Sequence, residues 1–135
     1  MLYCVFFTAG PPIIDGPPVD QFVINSNTAE FECAVLAFPM HSVQWSFTNS
    51  LGDTAVIIDT DGMNSTKYEV GTGLFSFGQL TITDVQYEDR GVYTCTAINV
   101  IGSDSASANL TVHGKFTAHI TINYVCIECV SSPLQ

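Results

Sequence analysis

The side chains best equipped for chemistry in this chain are its five cysteines and three histidines. Cys126 and Cys129 stand in the run Cys-Ile-Glu-Cys, downstream of His113 and His119. These are the ligand types of a zinc site, but the spacing is wrong for one. Five residues separate the two histidines and six lie between His119 and Cys126, which matches no common zinc module. A redox or local disulfide pair competes with unpaired thiols in a tail, and the tail is the plainer reading. Asp-Thr-Asp-Gly-Met-Asn at 59–64 starts like a calcium loop yet lacks the downstream bidentate glutamate, so it reads as a solvated turn. There is no nucleophile elbow, no histidine set between an acid and a nucleophile, and no glycine loop for phosphate. His41 reads as a surface or strand-end residue. The expectation is a non-enzyme without a cofactor or metal.

What could position reactive groups is a series of short strands. In Glu-Asp-Arg-Gly-Val-Tyr-Thr-Cys-Thr-Ala (88–97), the residues Asp89, Gly91, Tyr93, Cys95 and Ala97 fall at every second place. A strand with one buried face is written this way, because successive side chains point to opposite sides. Phe31, Cys33 and Val35 share a side within 29–38, as do Val43, Trp45 and Phe47 within 41–47. Segments 54–59 and 66–70 are shorter, Leu80 and Ile82 lie together in 78–85, and Ala106, Ala108, Leu110 and Val112 close the series in 105–112. Pro-Pro-Ile-Ile-Asp-Gly-Pro-Pro at 11–18 reads as an extended edge segment. The apolar period is two throughout, not 3.6, and no repeat is visible. That predicts an all-β antiparallel sandwich or barrel.

Cys33, Trp45 and Cys95, with Leu-Thr-Ile at 80–82 and Asp-Arg-Gly-Val-Tyr-Thr-Cys at 89–95, together resemble an immunoglobulin domain. The lead-in Pro-Pro-Ile-Ile and the compact middle are similar to the I-set variety, over about residues 11–113. The resemblance implies a two-sheet Greek-key sandwich in which Cys33 and Cys95 form the inter-sheet disulfide. It implies that Trp45 packs on that bridge and that the Tyr93 hydroxyl bonds backbone a few residues upstream. Gly91 would permit tight backbone at that corner. Asp89 would pair with Lys67 in a partly exposed contact contributing about 0–1 kcal/mol. Leu80 would belong to the core.

Three basic residues stand against thirteen acidic ones, a formal charge of −10. A phosphate backbone would be repelled, so nucleic acid is not an expected partner, and an anionic bilayer surface is disfavoured. The apolar stretches at 1–10 and 118–130 fall short of the ~20 residues of a membrane helix, so this segment is not expected to insert. The first ten residues have the apolarity of a signal core but no basic start or clear cleavage site.

Sequons occur at Asn64 and Asn109. Asn64 sits in a turn and Asn109 on the outward parity of its strand, so either can carry a glycan without disturbing the core. Phe75 and Phe77 lie on the outward parity of Leu80 and Ile82, making them a candidate partner contact. Outward Gln44, Ser46, Thr94 and Thr96 make another face polar.

The expected organisation is a non-domain segment at 1–10, one I-set domain at 11–114, and a C-terminal tail at 115–135. By resemblance, the expected function is extracellular protein recognition or cell adhesion, as one domain of a larger multi-domain molecule. Expected partners are other proteins, with homophilic immunoglobulin-domain contacts among the options. The alternative is an intracellular structural I-set module of a sarcomeric or cytoskeletal protein. The state of Cys4, Cys126 and Cys129 is left open.

Overall fold

Strand-forming runs broken by Gly, Pro, Asn and Asp do fold into paired strands. In the computed structural model, residues 8–39, 41–57, 67–71, 78–121 and 124–129 are described. The strands are β1 (Gly10–Gly16), β2 (Gln21–Ile24), β3 (Ala29–Phe31), β4 (Ala34–Phe38), β5 (Ser42–Thr48), β6 (Thr54–Ile57), β7 (Tyr68–Val70), β8 (Leu80–Ile82), β9 (Gly91–Ile98), β10 (Ser103–His113), β11 (Phe116–Thr121) and β12 (Tyr124–Cys129). One sheet has the order β2-β10-β9-β5-β6, and a second has β3-β8-β7. β1 pairs with β4, and β11 with β12.

Three features depart from the simple alternation. The run 29–38 is interrupted at Glu32–Cys33, because its first part pairs with β8 and its second with β1. Asp89 is not on the strand: it ends a 3-10 turn at Tyr87–Asp89, and β9 begins at Gly91. The sandwich is also not wholly antiparallel. Past Pro17 and Pro18 the chain changes sheets, and β2 runs parallel to β10, Gln21 opposite Leu110 and Val23 opposite Val112. Two successive prolines cannot donate to a ladder, which suits them to this crossing.

The core lies between the layers. Trp45, Tyr93, Phe31, Leu80, Ile82, Val85, Cys33 and Cys95 are fully buried. Phe31 stacks on Tyr93 at 5.2 Å between centroids, and Phe47, opposite Tyr93 in the β5–β9 ladder, lies 4.9 Å from it. Offset and tilted ring pairs of this kind add to the area they bury. β1 is held to the larger sheet by the Ile14 amide, which donates to the Asp104 carboxylate at 2.8 Å.

Candidate interaction surface

The scaffold beneath any binding surface is fixed by three contacts. Cys33 and Cys95 are joined by a disulfide, with Cα atoms 6.5 Å apart. Trp45 sits directly opposite Cys95 in the β5–β9 ladder, 6.0 Å from the Phe31 ring. Its indole N–H donates to the Gly78 carbonyl at 3.1 Å, so even its polar edge is satisfied inside the core. Gly78, at φ +71°, lies so close to Cys33 that a Cβ there would approach the Cys33 carbonyl to 2.6 Å. Only a residue without a side chain lets the backbone close over the bridge at that angle.

The third contact is the corner before β9. The Tyr93 hydroxyl donates to the Asp89 carbonyl at 2.8 Å. The Asp89 carboxylate accepts the Gln86 amide at 2.6 Å and the Lys67 ammonium at 2.5 Å. Lys67 is 30% exposed but Asp89 only 11%, so the acid is set deeper than a surface pair would have it. The ion pair itself stays near 0–1 kcal/mol. Stranding the carboxylate would cost more, about 1–3 kcal/mol, since a buried acceptor would lose its donors. Gly91 has φ +154°, and a Cβ there would run into the Thr48 carbonyl and the Phe47 ring.

Two phenols face this corner. Burial raises both Tyr68 and Tyr93 above the ordinary phenol value, and the negative charge of Asp89 pushes each further the same way. The fold therefore favours the neutral phenol. Its contribution to stability is fully present below the unfolded value of about 10 and is lost as pH rises beyond it. The expected result is an unfolding free energy flat from about pH 7 to 9, then falling by up to about 1.4 kcal/mol per pH unit for each phenol that only the unfolded chain ionises. Urea titrations across this range check it, with Tyr68→Phe giving a shallower fall.

This arrangement of bridge, indole and corner decides the family. A family model described as the immunoglobulin I-set domain matches residues 12–112.

The chain belongs to the immunoglobulin I-set family.

It is 34% identical over 112 residues to leucine-rich repeat-containing protein 4C of Homo sapiens, covering 83% of this chain and 16% of the relative. It is 32% identical over 111 residues to fibroblast growth factor receptor 1 of Xenopus laevis, covering 75% of this chain and 13% of that one. Among solved structures, an I-band fragment I67–I69 from titin superposes with a TM-score of 0.67 at 28% identity, covering 82% of this chain and 35% of that one. The chain thus spans under a fifth of the length of these two curated relatives.

The I-set domain presents two unlike faces. Across β5, β9 and β10, Gln44, Thr96 and Ser105 lie in one row and Ser46, Thr94 and Ser107 in the next. Thr94 and Ser107 share a hydrogen bond at 2.8 Å, Thr96 and Ser105 one at 3.0 Å. Cross-strand hydroxyl pairs of this kind stabilise the sheet and leave a polar exterior. The β1–β4 pair is the opposite. Ile13 faces Leu36 in register and Gly10 faces Phe38, and Ile13, Leu36 and Phe38 are each more than half exposed.

The β9–β10 turn extends this apolar surface. Val100 is 91% exposed and Ile101 49%. Asn99 organises the turn: its Oδ1 accepts the amides of Ile101 and Gly102, and its Nδ2 donates to the Gly10 carbonyl at 2.8 Å and the Pro39 carbonyl at 3.4 Å. The turn is thereby tied to the start of β1 and the end of β4. Phe22 on β2, which stacks on His113, is a further exposed aromatic at the other end of the domain.

Phe75, Phe77 and Asn64, named from the sequence, lie outside the described residues. Asn109 is exposed on β10, with its amide donating to Asp20 at 2.8 Å. In the β11–β12 hairpin, Cys126 stands opposite His119 and Cys129 opposite Phe116. Among the described residues no three His, Cys, Asp or Glu side chains gather as a metal site, and no helix is long and apolar enough to cross a membrane. The apolar β1–β4 face escaped sequence reading although its signal was present. Once Phe31, Cys33 and Val35 are placed inward, Leu36 and Phe38 fall outward by the same parity.

Proposed function

We propose that this I-set domain is a non-enzymatic extracellular module for protein recognition or cell adhesion, one domain of a longer multi-domain molecule spanning residues 11–114 here. The observation that carries the reading is the exposed apolar face of Ile13, Leu36 and Phe38, continued by Val100 and Ile101. A strand pair that exposes Ile13, Leu36 and Phe38 in a chain of net charge −10 is a costly feature unless another protein surface covers it. The disulfide supports an oxidising compartment. The small share of its relatives' length that the chain spans supports a place among further domains. One of those relatives is by name a growth factor receptor, and a receptor ectodomain fits this reading as well as an adhesion molecule does. Other proteins are the partners, with homophilic contacts between like domains among the options; nucleic acid and bilayer insertion are not.

The test is clustering of beads coated with the protein, together with its binding to cells. Leu36→Asp combined with Phe38→Glu is expected to weaken either signal at least about tenfold, equivalent to about 1.4 kcal/mol. Ser46→Asp on the polar face is expected to leave it unchanged. Loss with Ser46→Asp and none with the apolar pair would overturn the assignment of the face.

The likeness to a titin I-band fragment favours a second reading, an intracellular structural module. N-glycosidase treatment separates the two. A mobility shift is expected for the extracellular module and none for the structural one.

A further inference from the structure

Basic residues are scarce in this chain: Lys67, Arg90 and Lys115 are all it has, against thirteen acids. The fold holds two of them. Lys67 gives its ammonium to the Asp84 carbonyl at 2.9 Å and to the Asp89 carboxylate, and its own carbonyl accepts the Thr83 amide. Arg90 lays its guanidinium over the Tyr87 ring, 3.7 Å from the centroid, with Nη1 buried. The next residue, Gly91, is already inside the five-stranded sheet, opposite Leu110. Lys115 is different. It is exposed, and with Gly114 it forms the link between β10 and β11, outside either ladder.

The two sides of this link differ in strength. Before it, β10 ends on His113, in register with Ile24 and bonded through its carbonyl to the Asn25 amide at 2.8 Å. After it, β11 is paired with β12 alone, and a lone two-stranded hairpin is marginal in water. Opening β11 therefore costs little beside opening the sandwich. The family match ends at residue 112, so the link falls just past the domain. No Asp or Glu stands anywhere in 105–127, so no carboxylate near it in sequence offsets the Lys115 charge.

We propose that the Lys115–Phe116 bond is a proteolytic site of the folded protein, at which a trypsin-class serine protease severs the I-set domain from residues 116–135. Proteases of this class carry an acid in the specificity pocket, which takes the Lys115 ammonium. Gly114 and Lys115 offer backbone outside any ladder for the protease to pair with as an added strand. The protease serine attacks the Lys115 carbonyl carbon and the bond to the Phe116 nitrogen breaks. That nitrogen leaves as an amine with the proton the serine gave up, and water then releases Lys115 as a carboxylate. The site is separate from the apolar β1–β4 face and works whether or not that face binds a partner.

Limited digestion of the folded, oxidised full chain with trypsin tests it, read by mass on reduced samples. The expected first products are residues 1–115 and 116–135. They should form at least about a hundredfold faster than any cut after Lys67 or Arg90, since cleavage follows the population opened at each bond. Lys115→Gln is expected to abolish this cut and Lys115→Arg to keep it. The 1–115 product should unfold at the urea midpoint of the intact chain. A first cut after Lys67 or Arg90 would overturn the proposal. So would a folded chain that stays whole while the reduced, unfolded chain is cut at all three sites, or a 1–115 product that has lost the sandwich.

Discussion

Replacing Cys33 and Cys95 together by alanine is expected to lower the unfolding free energy by about 4 kcal/mol. The bridge closes a loop of sequence separation 62, and constraining the unfolded chain over that length gives about this value on the chain-entropy model. Domains of this size have about 5–15 kcal/mol in total, so the variant should be marginal at body temperature. Both sulfurs are fully buried, so reductant added to the folded protein should act slowly, through opening of the sandwich. Urea unfolding of the variant and of the reduced and oxidised wild type measures the effect. A loss below about 1 kcal/mol would mean that the bridge is incidental to the fold.

Trp45→Ala is expected to cost about 3–5 kcal/mol, the range for emptying a buried aromatic site. The indole is wholly buried beside Phe31 and opposite Cys95. Its removal leaves a cavity at the centre of the sandwich and takes the donor from the Gly78 carbonyl. Trp45→Phe keeps part of the packing but not the hydrogen bond, so a smaller loss of about 1–3 kcal/mol is expected. Trp45 is the chain's one tryptophan, so wild-type indole fluorescence follows this site alone during unfolding. Equal losses for the two variants would show that the hydrogen bond, and not the packing, dominates.

These two sites were legible because period-two alternation is a geometric code. Trp45, Tyr93 and Cys95 sit on the inward parity of their strands, Cys33 keeps the inward parity of Phe31 across the break between β3 and β4, and all four are fully buried. Parity also placed Asn109 outward, where it lies. The code fails where the backbone leaves the strand. Asp89 shares the spacing of Tyr93 and Cys95 but belongs to a 3-10 turn, because its carboxylate is drawn back to the Gln86 amide. The break at Glu32–Cys33 was hidden because pairing with two different partners leaves no local mark in composition. The parallel course of β2 beside β10 was hidden for the same reason.

The candidate surface was less legible than the core. Burial selects residue types strongly, whereas an exposed apolar residue is common and becomes meaningful only in company. Ile13 and Leu36 are far apart in sequence, and the β1–β4 register brings them face to face.

Peptide mapping of the natural protein, digested without reductant after alkylation in denaturant, puts the scaffold to its most direct trial. A cross-linked pair of peptides containing Cys33 and Cys95 is the expected product, with neither sulfur joined to Cys4, Cys126 or Cys129. Recovery of both as alkylated free thiols, or of either bridged to a terminal cysteine, would contradict the account of a sandwich pinned at its centre and built for an oxidising compartment.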